Sequence, residues 1–242
     1  MRSATELHYQ SGDYWRARLD SASDFKVALA LRALHAVNIE LSEGVRAAEI
    51  GCGNGAFLFP LAATLSGRLK SFTLRGIDIA PLAITHANAR AREAGENRIS
   101  FIEGSAADVK ERFDIAFLMD VVEHVSDPFA FLQAAKDIAP IIVLHLPIEH
   151  SVAHRLLRKP TAAYKQFKHI HFFSLETMRI LLQEVGLIML GLQFTAASPE
   201  VFKFSGGPFV RTSRAVRYCA YKLTPAASSV LFGGSVMVVM SR

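Results

Sequence analysis

The sequence predicts an α/β protein with a doubly wound, mostly parallel β-sheet, and three observations support this prediction. Strand-like and helix-like segments alternate between residues 45 and 146, as in consecutive βαβ units. Two strand-like segments, FDIAFLMD and IIVLHLP, are almost free of polar residues, as expected for strands covered on both faces. A glycine cluster, EIGCGNG, lies between the first predicted strand, VRAAEI, and the helix that follows it.

The elements follow in a regular order. Strands are predicted over residues 45–50, 71–79, 99–104, 113–120 and 141–147, and helices over 55–67, 80–95 and 126–139. Helix ends are marked by Pro81 in a first turn, by Gly95 as a stop signal, and by Asp127 with Pro128 at an N-cap.

The remaining segments complete the predicted sheet and surround it. A helix is predicted over residues 174–186, followed by closing strands over 187–197 and 235–241. This ending suits a sheet with a reversed last strand. The connection over residues 147–173 is too long for a simple turn, so we expect a lid or a substrate wall there. Residues 1–44 are expected to form a small helical cap, and 45–242 the main domain.

The charge is distributed unevenly along the chain. The net charge is +5 over 242 residues, but residues 1–150 carry 15 Lys/Arg against 19 Asp/Glu, whereas residues 151–242 carry 12 against 3. The basic part predicts either an anionic partner or a solvated basic face.

Cysteines and hydropathy indicate the compartment. Cys52 and Cys219 are far apart and show no metal-ligand spacing, which fits a reducing, cytoplasmic setting. No secretory leader is expected from the charged first residues. The uncharged stretch over residues 223–241 is long enough for a membrane span, but Pro225 and two glycines interrupt it, so no span is expected.

The glycine cluster predicts a ligand site. In doubly wound sheets, ligands bind outside the carboxyl ends of the strands, where glycines let the backbone approach them closely. The segment GCGNGA satisfies a loose dinucleotide fingerprint, and Asp78 suits a ribose-binding acid for a dinucleotide or for S-adenosylmethionine. Glu49 favours S-adenosylmethionine, because a carboxylate there would repel a pyrophosphate. The segment after the fourth strand and the strand order at the chain's end favour it too.

These segments together resemble the class I S-adenosylmethionine-dependent methyltransferases, most closely the branch that includes ubiquinone-biosynthesis-type O-methyltransferases. EIGCGNG, GIDIAP, FIEGSAAD and FDIAFLMDVVEHVSDP resemble the family's first four motifs, and HIHFFSLETMRILLQEVGL resembles the part after the lid. The resemblance covers residues 45–145 and, more loosely, 169–195. It implies a Rossmann-like, seven-stranded sheet and S-adenosylmethionine as cofactor.

The resemblance also implies a cofactor site. Its residues are Glu49, Gly51, Cys52, Gly53, Asn54, Gly55, Asp78, Ile79, Gly104, Ser105, Ala106, Met119 and Asp120. One position departs from the pattern, because Ser105 stands where the family often has an acid that contacts the adenine.

The implied reaction is in-line attack of a nucleophile on the sulfonium methyl, for which a hydroxyl acceptor needs a general base. His171, His145 and His124 are the candidate bases, since imidazole exchanges protons near neutral pH. The alternative role of His124 is to shape the cofactor pocket, and that of His145 is a core histidine whose hydrogen bonds are satisfied. Asp120, Glu123 and His124, completed by His145 or His171, also form a metal-ligand pattern, but no metal is predicted.

The expected acceptor is a small molecule, anionic or amphipathic, methylated on oxygen. Candidate contacts are Tyr14 and Trp15 in the leading segment and Arg155, Arg158 and Lys159 in the lid. Arg211, Arg214 and Arg217 lie on one side of a predicted helix, a pattern that also fits peripheral membrane contact. The alternatives are an RNA-directed methyltransferase, for which no recognition module is visible, an NAD(P)-dependent oxidoreductase, and a cofactor-binding protein without activity. The oligomeric state is not predicted.

Overall fold

The computed structural model describes residues 5, 7, 8, 24–157, 159–195 and 208–242, without the side chains of 208–214. The strands are β1 Val45–Ile50, β2 Phe72–Asp78, β3 Ile99–Glu103, β4 Ile115–Met119, β5 Ile141–Ile148, β6 Ile188–Phe194 and β7 Gly234–Ser241. The helices are α1 Asp24–Ala36, α2 Leu58–Ser66, α3 Pro81–Glu93, α4 Pro128–Ile138, α5 Val152–Leu156, α6 Lys159–Phe167, α7 Leu175–Glu184, α8 Pro208–Leu223 and α9 Pro225–Phe232. A 3₁₀ turn spans Ala106–Asp108.

The seven strands form one sheet in the order β3-β2-β1-β4-β5-β7-β6. β7 is antiparallel to both of its neighbours, and the other paired strands are parallel. The predicted fold class, including the reversed last strand, is therefore confirmed. The strand order changes direction between β1 and β4, and in doubly wound sheets the ligand crevice lies at this point.

Helices cover both faces of the sheet. On one face, α1, α2 and α3 share an apolar core that includes Leu34, Leu61 and Phe117. On the other face, α4 and α7 pack over a second core that includes Leu118 and Leu182. Helix α1, in the segment predicted to cap the sheet, contacts α2, β6 and β7 directly. Its buried side chains make it part of the main core.

Local signals set several helix boundaries where the sequence places them. Asp127 caps α4, because its Oδ1 accepts a hydrogen bond from the backbone N–H of Ala130 at 3.0 Å, and Pro128 follows at the first helical position. Ser174 caps α7 in the same way, bonding the N–H of Thr177. Gly186 takes a φ of +71° directly after that helix, a conformation that favours glycine.

The segment over residues 147–173 contains α5 and α6. It returns to the sheet through a parallel bridge between Ile148 and Phe173. The uncharged stretch near the chain's end forms α9 and the buried strand β7. Within the described residues, no helix combines the length and the apolar character that crossing a bilayer requires.

Candidate active site

The glycine loop after β1 is fastened to the end of β2. The N–H of Gly51 donates to the carbonyl of Ile77 at 2.8 Å, and that of Gly53 donates to Asp78 Oδ2 at 2.7 Å. Gly51 has a φ of +77°, and a Cβ there would lie 2.4 Å from Cγ2 of Val121. Only glycine therefore fits this turn without moving the loop after β4.

A cavity of about 730 Å³ lies at the carboxyl ends of the central strands. This volume is within the usual range for small-molecule sites. The residues predicted to bind the cofactor all line it, except Gly55. Of the three predicted bases, His124 and His145 line the cavity and His171 does not. Lys26, Glu123 and His169 also line it, although the sequence analysis did not select them for the cofactor or the base.

The end of the cavity at β1 and β2, here called the cofactor end, is acidic and buried. Glu49 is 3% exposed, and its Oε2 has no hydrogen-bond partner within the described ranges. Burial raises the pKa of Glu49 well above its ordinary value, nearby Lys26 lowers it, and Asp78 raises it further. Burial also raises the pKa of Asp78, whose oxygens accept the N–H groups of Gly53 and Ala80. A cationic ligand fits here better than a phosphate does.

Ser105, which stands where the family that this sequence resembles often has an acid, begins a short turn beside the cavity. Ser105 caps the 3₁₀ turn by accepting the N–H of Ala107, at 3.3 Å from its Oγ. Asp108 reaches back to the N–H of Ser105, at 3.2 Å from its Oδ2. Ile79 is 38% exposed and lines the cavity, so an apolar surface is available for a flat ring.

The other end of the cavity, here called the acceptor end, contains a hydrogen-bonded chain. Lys26 of α1 donates to Asp120 Oδ2, and His145 Nδ1 lies 2.5 Å from Asp120 Oδ1. His145 Nε2 lies 3.1 Å from the hydroxyl of Thr195. With Nδ1–H donating to Asp120, Nε2 accepts from Thr195. Both ring nitrogens of His145 therefore have hydrogen-bond partners, and the ring holds Asp120 in its orientation.

Asp120 is an unusual residue in two respects. Its φ is +54°, in the left-handed region that few non-glycine residues occupy. Burial alone would raise the pKa of its carboxyl, but His145 and Lys26 outweigh burial and hold that pKa far below its ordinary value. No sequence signal marks Lys26, because a lysine in the first turn of a helix fits no recognisable pattern.

A second buried group follows β4. Glu123 is fully buried, and neither of its carboxylate oxygens has a hydrogen-bond partner among the described residues. Burial raises its pKa well above the ordinary value, and Asp120 adds to this rise. His169 Nδ1 lies 2.6 Å from Glu149 Oε2, and the rings of His169 and His124 meet edge to face at 4.8 Å.

The folded chain brings together a different set of possible metal ligands from the one that the sequence pattern predicts. One ligand atom each of Glu123, His124 and His169 lies within 4.8 Å of the others. Asp120 and His145, which the sequence pattern included, are instead paired with each other. That no metal is needed stays a prediction.

The end of the predicted lid segment is bound to the loop after β4. The N–H groups of Ile170 and His171 donate to the carbonyl of Glu123 at 2.9 and 3.1 Å. His171 Nε2 donates to the carbonyl of Val125 at 2.9 Å. The imidazole of His171 thus fastens the lid from outside the cavity. Tyr14, Trp15 and Arg158 lie outside the described residues, as do the side chains of Arg211 and Arg214.

The comparison with family models decides the family. A model described as "Methyltransferase domain" matches residues 15–190, which is more than half of the chain. The chain belongs to this methyltransferase family. The resemblance to the class I S-adenosylmethionine-dependent methyltransferases is confirmed, and S-adenosylmethionine is the cofactor of that class.

Individual relatives are similar over smaller parts or at lower identity. A ubiquinone biosynthesis O-methyltransferase of Azorhizobium caulinodans is 39% identical over 98 residues, which is 39% of this chain. One of Methylobacterium nodulans is 42% identical over 96 residues, 38% of this chain. Each alignment spans 36% of the relative's length. The magnesium protoporphyrin IX methyltransferase of Synechocystis PCC 6803, solved with S-adenosylhomocysteine, has a TM-score of 0.65 at 16% identity over 98% of this chain and 97% of its own, which shows a shared fold.

Proposed function

We propose that this methyltransferase transfers a methyl group from S-adenosylmethionine to a hydroxyl oxygen of a small molecule. The observation that carries the proposal is the single cavity with two chemically different ends. The cofactor end presents buried carboxylates to a cation, and the acceptor end presents imidazole and carboxylate groups. The ubiquinone biosynthesis O-methyltransferases among the relatives support an oxygen acceptor.

The residues of the cofactor end fit the predicted cofactor. The unpartnered oxygen of Glu49 suits an ammonium group, and each oxygen of Asp78 keeps a lone pair for a ribose hydroxyl. Ile79 and Ala106 line the place where an adenine would lie. When bound, S-adenosylmethionine supplies the methyl group on a positively charged sulfur. The protein supplies placement and the exclusion of water.

A hydroxyl acceptor must give up a proton, and the predicted histidines are proposed for different parts of this task. His124 lines the cavity and is the proposed proton acceptor. His145 orients Asp120 through its Nδ1, and His171 holds the lid in place. The last two are therefore proposed to support the site without touching the acceptor.

The acceptor is proposed to be anionic or amphipathic. Lys26 is the cation of the acceptor end, and apolar side chains such as Phe131 and Phe167 line the same cavity. An NAD(P)-dependent reaction is disfavoured, because the buried carboxyl of Glu49 would face the pyrophosphate.

Calorimetric titration tests the cofactor, and a radiolabelled methyl donor tests the acceptor. We expect S-adenosylhomocysteine to bind in the micromolar range and NADH not to bind. With labelled S-adenosylmethionine, we expect transfer to catechol and none to aniline or to a short single-stranded RNA. Preference for NADH would overturn the cofactor assignment. Transfer to aniline or RNA in place of catechol would overturn the oxygen assignment.

A further inference from the structure

Four helices at one end of the sheet form a continuous basic surface, here called the helical face. It consists of α5, α6, α8 and α9. Helix α5 contacts both α6 and α9, and α9 contacts α8. None of the four helices contains an aspartate or a glutamate. Their described cations are Arg155, Lys159, Lys165, Arg217 and Lys222.

Large apolar side chains are exposed on the same helices. Leu156 is 78% exposed, the adjoining Leu157 66%, and Leu223, at the end of α8, 81%. Val216 of α8 and Val230 of α9 are also more than half exposed. A single exposed apolar residue needs no explanation. Exposed leucines beside several cations and no acid are typical of helices that lie in the interface of an anionic membrane.

Side chains of α5 and α8 meet at Gly233, between α9 and β7. Arg217 donates to the carbonyl of Gly233 at 3.4 Å, and the hydroxyl of Tyr221 donates to the same oxygen. His154 packs against Gly233, where a Cβ would lie 2.2 Å from the imidazole Cε1. Partial burial and the charge of Arg217 lower the pKa of Lys159. Positive charges are thus held close together by the fold.

No ion pair compensates these charges among the described residues. Glu149 is the acid that acts on this group, but its Oε2 lies 2.6 Å from the imidazole of His169. No ion pair of Lys159 or Arg217 occurs within the part of the chain that the structure describes. An external anion of the phosphate class would supply the missing charge.

The helical face borders the acceptor end of the cavity. Gly234 and Ser235, which directly follow Gly233, line the cavity, and so does Phe167 at the end of α6. A surface that binds here therefore lies next to the place where the acceptor is expected.

We propose that the helical face docks on an anionic lipid surface. Lys159 and Arg217 bind lipid phosphates, and Leu156, Leu157 and Leu223 enter the interface. The proposal does not depend on methyl transfer, because lipid binding needs neither the methyl donor nor an acceptor.

Vesicle sedimentation of the full chain tests this directly. We expect binding to vesicles of phosphatidylcholine and phosphatidylglycerol at 7:3, weak binding to phosphatidylcholine alone, and a strong decrease from 50 to 500 mM NaCl. Lys159→Gln with Lys222→Gln should weaken binding about fivefold for each cation removed. Leu156→Ser with Leu157→Ser should weaken it at least tenfold.

Matched controls use equally exposed residues outside the helical face. Ile180→Ser, at a side chain that is 58% exposed, and Lys70→Gln should leave vesicle binding unchanged. Calorimetry with S-adenosylhomocysteine checks that every variant is folded. Failure of the unmodified chain to bind anionic vesicles, or an equal loss in the controls, overturns the proposal. Tighter binding of a 20-nucleotide RNA at the same salt would assign the face to nucleic acid and overturn it too.

Discussion

The two ends of the cavity are built in different ways. The cofactor end comes from one loop and the end of the next strand, residues 49–55 and 77–80. Backbone N–H groups of the loop donate to the carbonyl of Ile77 and to the carboxylate of Asp78. The acceptor end joins side chains that are far apart in the chain, such as Lys26 with Asp120 and His145 with Thr195. The cofactor end therefore depends on backbone shape, and the acceptor end on buried charge.

The largest effect is expected where backbone shape is changed at the cofactor end. In Gly51→Ala, the new Cβ collides with Val121 in a residue that already has positive φ. We expect S-adenosylhomocysteine affinity to fall at least 100-fold in calorimetry. Gly44→Ala is the matched control, since Gly44 has a φ of +79° but open space around a Cβ. It should cost about 1 kcal/mol of stability and leave affinity intact. Equal losses of affinity would show that strain, and not the collision, is responsible.

The next effect concerns proton transfer at the acceptor end. His124→Gln should lower kcat for catechol by about 100-fold, because a general base contributes about 10²- to 10⁴-fold. The affinity for S-adenosylhomocysteine should not change. His171→Gln serves as the comparison, and we expect it to alter the urea unfolding midpoint more than kcat. A larger loss of kcat in His171→Gln than in His124→Gln would contradict this assignment and make His171 the proton acceptor.

A smaller effect is expected from the ion pair that joins α1 to the acceptor end. Lys26→Met leaves Asp120 with His145 as its remaining side-chain hydrogen-bond partner among the described residues. We expect the free energy of unfolding to decrease by about 2 kcal/mol, which is less than for a fully buried pair because Asp120 is partly exposed. Lys70→Met, at an exposed lysine, should change stability by less than about 0.5 kcal/mol. Urea denaturation at pH 7 measures both variants.

The smallest expected effect is a change in stability that depends on pH. It is a stabilisation, whereas Lys26→Met is expected to destabilise the protein. The raised pKa of Glu123 means that the folded state favours the protonated carboxyl, so its contribution to stability is greatest below the ordinary pKa and is lost as the pH rises. Glu123→Gln should therefore stabilise the protein by about 1 kcal/mol at pH 8 and hardly at all at pH 4.

EDTA should leave this pH-dependent difference unchanged, because no metal is predicted. Thermal unfolding at both pH values, with and without EDTA, provides the test. A variant less stable than the unmodified chain at pH 8 would show that the Glu123 carboxylate has a cationic partner.

Sequence patterns predict the two ends unequally, and the reason is the distance along the chain between interacting residues. The glycine loop and Asp78 follow from local backbone requirements, so each leaves a short motif. His145 lies on a predicted buried strand, but its two partners are Asp120, directly after β4, and Thr195, 50 residues later in the chain. No sequence pattern indicates that the hydroxyl of Thr195 is the hydrogen-bond partner of His145 Nε2. His171 is a predicted base, yet the structure places His169, two residues earlier, in the cavity. The reason is that the backbone N–H groups of residues 170 and 171 donate to the carbonyl of Glu123.

The position of β7 has a consequence for how the chain folds during synthesis. β7 lies between β5 and β6 and pairs with both, although it is the last of the seven strands to be made. Until residues 234–241 leave the ribosome, β5 and β6 cannot join, and each exposes an unpaired edge. The first five strands can assemble earlier, so the cofactor end is expected to form on the nascent chain before the acceptor end is closed by Ser235.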